Sequence, residues 1–176
     1  MRLLLPSDCE VVRGLWGERD PRSARIIDAE GRPTVDDIRA NIEKQLQETA
    51  HNGLALLAIE TKADVHFIGY CGLIVGASTL EEPEIAYELF LHAHGRGYAT
   101  EAAQAVLGAA LDTGRTRFWA TVRSWNAASF RVLDKIGFTN SGRIDPDPDR
   151  GDMVWMTGPR RDDAWADEAP SARGSR

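Results

Sequence analysis

With 176 residues, 43% hydrophobic and 27% charged, the chain has the size and composition of one soluble domain that buries its core without disulfides or structural metal. Its formal net charge of −6 argues against nucleic acid and anionic membrane as partners, because a polyanion selects a basic surface; a small anionic ligand on a local basic site stays compatible. Cys9 and Cys71 lie far apart with no C-x-x-C spacing, which excludes a disulfide framework or zinc ribbon, and no apolar run is long enough for a signal peptide or a membrane span, so a cytoplasmic protein is expected.

Leu3–Leu5 reads as a first strand stopped by Pro6. Ser7-Asp8-Cys9-Glu10 fits a capping box opening a helix to about Trp16. Gly17–Pro33 is charged and aperiodic, a loop of the kind that shapes a substrate mouth. Thr34 starts a second helix whose Ile38, Ile42 and Leu46 share one face, and Gly53 stops it. Leu54–Glu60 and Val65–Val75 read as strands joined by a tight polar turn, and Ile85–Leu91 as a fourth strand. A helix over Tyr98–Asp112, a strand over Thr116–Val122, a helix over Asn126–Ile136 and a closing strand pair, Phe138–Arg143 and Asp152–Thr157, complete residues 1–157. Residues 158–176 are polar and read as a disordered tail. The order implies a single α+β domain, not a regular βαβ run.

The stretch from Glu88 to Ala102 carries the chemistry. A strand runs into Gly95-Arg96-Gly97, which opens a helix. Unpaired amides at the helix start, a backbone made approachable by glycine and the charge of Arg96 together suit a pyrophosphate. A tight turn without ligand explains G-x-G equally well. The dinucleotide fingerprint fails, since Thr100 stands at its third glycine and the next strand ends without an acidic residue; the Walker pattern fails for want of Gly-Lys-Ser/Thr. His92 and His94 alternate at the strand end, but with no third ligand no metal is expected.

Ile85-Ala86-Tyr87-Glu88-Leu89 followed by Gly95-Arg96-Gly97-Tyr98-Ala99-Thr100-Glu101-Ala102 resembles the acetyl-CoA motif of GNAT acetyltransferases. A second block, Asn126-Ala127-Ala128-Ser129, then Leu133, then Lys135-Ile136-Gly137-Phe138, is similar to the same family, and most like its RimJ/RimL-type branch acting on ribosomal-protein N-termini. The resemblance, from Arg2 to Thr157, implies a mixed, mostly antiparallel seven-stranded sheet flanked by about four helices, with fourth and fifth strands splayed around the pantetheine arm.

It also implies the site. Backbone groups of Leu89, Phe90 and Leu91 would meet the arm, backbone N–H groups of Gly95, Arg96, Gly97, Tyr98, Ala99 and Thr100 would hold the pyrophosphate, and His94 would lie beside the cofactor. Asn126 would bond the arm and Ser129 would lie near the thioester. The reaction needs a proton acceptor for the amine, a donor for the carbonyl oxygen and a held geometry. Glu88 is the candidate base, acting through a water, or else a strand carboxylate in an ion pair; Ser129 is the candidate acid, or else a helix-start serine bonded to backbone. Many relatives carry a tyrosine acid where this chain has Leu133, which puts the acid in doubt and suits the branch that uses serine. The expected acceptor is a primary amine, favouring a protein N-terminus. A small-molecule acceptor (amino acid, polyamine or antibiotic) and a non-catalytic acyl-CoA-binding module are the alternatives. The sequence allows a homodimer without specifying one.

Overall fold

The computed structural model describes residues 1–23 and 25–159. One sheet of seven strands runs in the order β1-β2-β3-β4-β5-β7-β6, where the strands are β1 (Arg2–Leu3), β2 (Leu56–Glu60), β3 (Phe67–Ile74), β4 (Glu84–Leu89), β5 (Trp119–Arg123), β6 (Thr139–Asp145) and β7 (Met153–Thr157). Every neighbouring pair is antiparallel except β4 and β5, which are parallel and touch in register at Glu84↔Trp119 alone. Below that rung the sheet divides into two half-sheets.

Among the described residues, four α-helices cover its two faces. On one, α1 (Cys9–Gly17) and α2 (Val35–Asn52) bury Val12, Leu15, Trp16, Ile38 and Ile42 against Ala58 and Tyr70. On the other, α3 (Tyr98–Asp112) and α4 (Ala127–Lys135) bury Leu107 and Leu133 against Ile59, Ile68, Cys71, Leu73, Ile85 and Leu89. Strand alternation assigns the neighbours Tyr70 and Cys71 to opposite faces.

The second helix begins and ends as its sequence dictates. Thr34 accepts the Asp37 amide while Asp37 accepts the Thr34 amide, and Gly53 closes α2 at φ +72°. The expected box at Ser7 is replaced by a 3₁₀ turn over Pro6–Asp8, with Asp8 at the cap of α1 making no side-chain cap bond. Its carboxylate is committed elsewhere, to the Leu5 amide (2.8 Å) and to both terminal nitrogens of Arg2 (2.7 and 2.9 Å). The Arg2 guanidinium holds the Asp8 carboxyl below the usual carboxylate range, against an opposing push from burial. A carboxyl lowered on folding contributes stability above its ordinary titration range and loses it as pH falls through the folded value. Asp8→Asn is therefore expected to cost roughly 1–3 kcal/mol at neutral pH and progressively less as pH falls through the carboxylate range, read by urea unfolding at neutral and acid pH.

The fourth strand ends at Leu89, short of the expected Leu91, because Leu91–Ala93 turns into 3₁₀ helix. Gly158 remains buried, its amide donating to the Phe118 carbonyl at 2.7 Å; the remainder of the expected tail, from residue 160, lies outside the described residues.

Candidate active site

Loss of pairing between β4 and β5 opens a cavity of about 770 Å³ that runs through the sheet. From the α1 face it is bordered by Leu15, Glu18, Arg19, Asp20, Ser23 and Glu88; from the other by Tyr87, Tyr98, Asn126, Ser129, Val132 and Lys135. The Phe90 amide donates to the Ile68 carbonyl of the β3 side. Backbone groups alternate along a strand, so those of Leu89 and Tyr87 point the other way, into the gap. One is already used: a ring nitrogen of His94 lies 2.9 Å from the Leu89 carbonyl.

At one end of the gap the chain turns through Gly95 (φ +73°) and Gly97 (φ +85°) into α3. Both glycines are needed for that conformation, and neither has a neighbour within 4 Å of where a Cβ would stand. The first helical bond is Glu101 N–H to the Gly97 carbonyl, at 3.0 Å, so the amides of Tyr98, Ala99 and Thr100 have no intrahelical acceptor and no side-chain cap. These amides face the cavity, and such a helix start can hold an anion. Arg131 and Lys135, one turn apart on α4, border the same space and add positive charge.

Across the gap, the Asn126 carbonyl oxygen accepts the Ser129 amide (3.1 Å) and caps α4, leaving the Asn126 NH₂ group free to donate. The Tyr87 hydroxyl bridges from β4 to the Ser129 carbonyl (3.0 Å), and burial pushes that phenol above its ordinary range. The Ser129 side chain is half-buried at the cavity wall.

Glu88 shares the α1 face with Tyr70, its register partner on β3. Both its oxygens are engaged: Arg19 Nε donates at 2.6 Å, Arg19 Nη2 at 2.5 Å, and the Tyr70 hydroxyl donates to Oε2. Arg19 also donates to the Arg25 carbonyl (2.5 Å) and to the Tyr70 hydroxyl (3.0 Å), and its guanidinium lies 4.2 Å from the centre of the Trp16 ring. Burial, with the Glu88 charge behind it, pushes the Tyr70 phenol well up.

Most of the expected residues thus converge: Glu88, Leu89, Leu91, His94, Gly95, Gly97, Tyr98, Ala99, Thr100, Asn126 and Ser129 all line the cavity. Phe90 faces the α1 side instead, edge-on to Phe67 and stacked on His92, and Arg96 is exposed outside the lining. His92 and His94 diverge because the strand has already ended. Among the described residues no three His, Cys, Asp or Glu side chains gather as metal ligands. The sequence reading missed Arg19, Asp20 and Tyr87. The loop residues carry no periodicity, and their charge was the one available signal.

A sequence profile of the acetyltransferase (GNAT) domain matches residues 1–139. No curated protein sequence matches. Among solved structures, an acetyltransferase from Agrobacterium tumefaciens is 27% identical with a TM-score of 0.65, covering 88% of this chain and 87% of its own. The ribosomal-protein-S5-alanine acetyltransferase from Vibrio fischeri superposes with a TM-score of 0.70 at 16% identity, over 92% of this chain and 93% of that one. A structure from Salmonella typhimurium named for acetyltransferase activity and solved with its cofactor acetyl-CoA gives 0.69 at 20% identity, over 89% and 90%. The last two similarities speak for the fold. The profile match takes in every element that frames the gap, and the chain accordingly belongs to the GNAT family of acetyltransferases.

Proposed function

We propose that this acetyl-CoA-dependent acetyltransferase delivers the acetyl group to a primary amine, with a protein N-terminal α-amine as the favoured acceptor. The passage through the sheet carries the reading: one end is an anion cradle, the other a mouth bordered by the carboxylates of Glu18, Asp20 and Glu88, which suits an acceptor that arrives as a cation. The N-terminal choice follows the resemblance of the block from Asn126 to Phe138 to the branch that acts on ribosomal-protein N-termini.

When bound, acetyl-CoA supplies a thioester carbonyl activated for attack by a neutral amine. The amides of Tyr98, Ala99 and Thr100 hold its pyrophosphate, with Arg131 and Lys135 adding charge from α4 and Arg96 from outside the cradle. Backbone groups of Leu89 and Tyr87 and the NH₂ of Asn126 hold the pantetheine arm. A gap-facing backbone N–H on β4 donates to the carbonyl oxygen as charge develops there. Glu88, fixed in orientation by Arg19, takes one proton of the entering ammonium through a water, and the Ser129 hydroxyl relays the second, shed by the nitrogen as the amide forms, to the departing thiolate. No cysteine serves as a resting place for the acetyl group: Cys9 and Cys71 are buried away from the cavity, and burial pushes the Cys71 thiol up to about 12.

Release of CoA thiol, measured over peptides with free N-termini and over small amines, tests the acceptor. On the best of them, Glu88→Gln is expected to lower kcat about 100-fold and Ser129→Ala roughly tenfold, with KM for acetyl-CoA little changed. An unchanged kcat in both variants would remove both assigned roles.

A further inference from the structure

The three carboxylates at the mouth already have partners within the chain. Glu18 accepts the Leu91 amide at 2.7 Å, Glu88 is held by Arg19 and Tyr70, and Asp20 is held by Arg22 through Nε at 2.9 Å and Nη2 at 2.8 Å. These partners differ in how firmly they are held. The Arg19 side chain is 14% exposed and bonded to Glu88, Tyr70 and the Arg25 carbonyl. The Arg22 side chain is 52% exposed, and its carboxylate lies two residues away on the same loop. Its guanidinium otherwise rests on Trp125, 4.3 Å from the ring centre. Exposed ion pairs and exposed cation–π contacts are both weak, so Arg22 is readily displaced.

Trp125 beneath it is fixed. Its Nε1 donates to the Arg150 carbonyl at 2.7 Å, and Gly151 packs so close that a Cβ there would stand 2.7 Å from the ring. Asp20 and Trp125 both line the cavity. Each adjoins a residue of the proposed machinery, Asp20 following Arg19 and Trp125 preceding Asn126. A fixed aromatic face and a carboxylate thus meet at the rim around the chain's own loosely held cation.

We infer that Asp20 and Trp125 form a cation subsite for the acceptor, and that Arg22 is its place-holder. An acceptor with a second cationic group a few atoms from the reacting amine displaces Arg22 and takes both partners. This rests on the amine-acceptor reading above and narrows it to acceptors with a second cation, such as peptides with arginine or lysine close behind the N-terminus.

Calorimetric titration of the full chain, saturated with CoA, tests it without requiring turnover. Two matched pairs serve as ligands: a peptide with arginine second against the same peptide with glutamine second, and a linear diamine against the monoamine of equal length. The dicationic member of each pair exchanges one cation for another on the same partners and is expected to bind about threefold tighter to the unmodified protein. Trp125→Ala and Asp20→Asn abolish that preference, whereas Arg22→Ala widens it to about tenfold because the competitor is gone. A clasp of purely structural value gives the opposite sign for Arg22→Ala, weaker binding of every ligand. Equal affinities within both pairs, no binding by either dication, or no widening in Arg22→Ala overturns the subsite. Preference within the diamine pair with neither peptide binding keeps the subsite and overturns the N-terminal reading; peptide binding without preference does the reverse.

Discussion

Gly97→Val is expected to weaken acetyl-CoA binding at least about 100-fold in a calorimetric titration, in a protein that stays folded. Amide bonds to an ionised group contribute roughly 1.5–3 kcal/mol each, and displacing a phosphate from a pair of them accounts for the loss. Gly97 stands at φ +85°, and apart from its two chain neighbours no residue lies within 4 Å of where its Cβ would be. It lines the cavity beside the Tyr98, Ala99 and Thr100 amides, so the new side chain takes up space that an anion on them needs. The backbone strain of a β-branched residue in that region, about 1–3 kcal/mol, lowers Tm without unfolding a domain of this size. Retained affinity would show that the phosphates bind elsewhere.

Arg19→Ala is expected to have the largest effect on stability. Removing one partner of a buried ion pair costs about 3–5 kcal/mol, and with side chains 14% and 22% exposed this pair lies at or below the lower end of that range. A Tm fall of roughly 5–10 °C follows, measured by thermal unfolding. The variant leaves the Glu88 carboxylate at the mouth with Tyr70 as its remaining side-chain donor and frees the start of the loop that Arg19 ties down. The double variant Arg19→Ala, Glu88→Leu is expected to recover most of the lost stability, because the cost lies in stranding a charge and the pair itself adds little. A double variant no more stable than Arg19→Ala would assign the loss to packing against Trp16 instead.

The glycine turn was legible in the sequence because its cause is local: two residues at positive φ before a helix leave a signature in the residues themselves. The same holds for α2, with Thr34 and Gly53 at its ends, and for α3, whose bounds match the reading. Strand order was not legible. Insertion of β7 between β5 and β6, and the single rung at Glu84↔Trp119, depend on pairings between distant segments, and the splayed strands were expected through family resemblance alone. Phe90 shows the limit within one strand. Alternation was readable, but which parity faced the gap was not, and Phe90 falls on the face opposite Leu89. The contact of Arg19 with Glu88 spans 69 residues and joins an aperiodic loop to a strand, so nothing local announces it.

The single rung between β4 and β5 also has a thermodynamic consequence. An ordinary sheet satisfies its inner edges with its own neighbouring strands, whereas here the inner edge of β4 below Glu84 has no strand partner among the described residues, and one of its carbonyls, that of Leu89, is met by the His94 ring instead. In the proposed reading the pantetheine arm, with amides of its own, would serve as a guest strand that completes the ladder. Cofactor affinity and the rigidity of the joint between the half-sheets are then one quantity measured in two ways: whatever tightens the joint in the empty protein prepares the slot, and whatever fills the slot stabilises the fold.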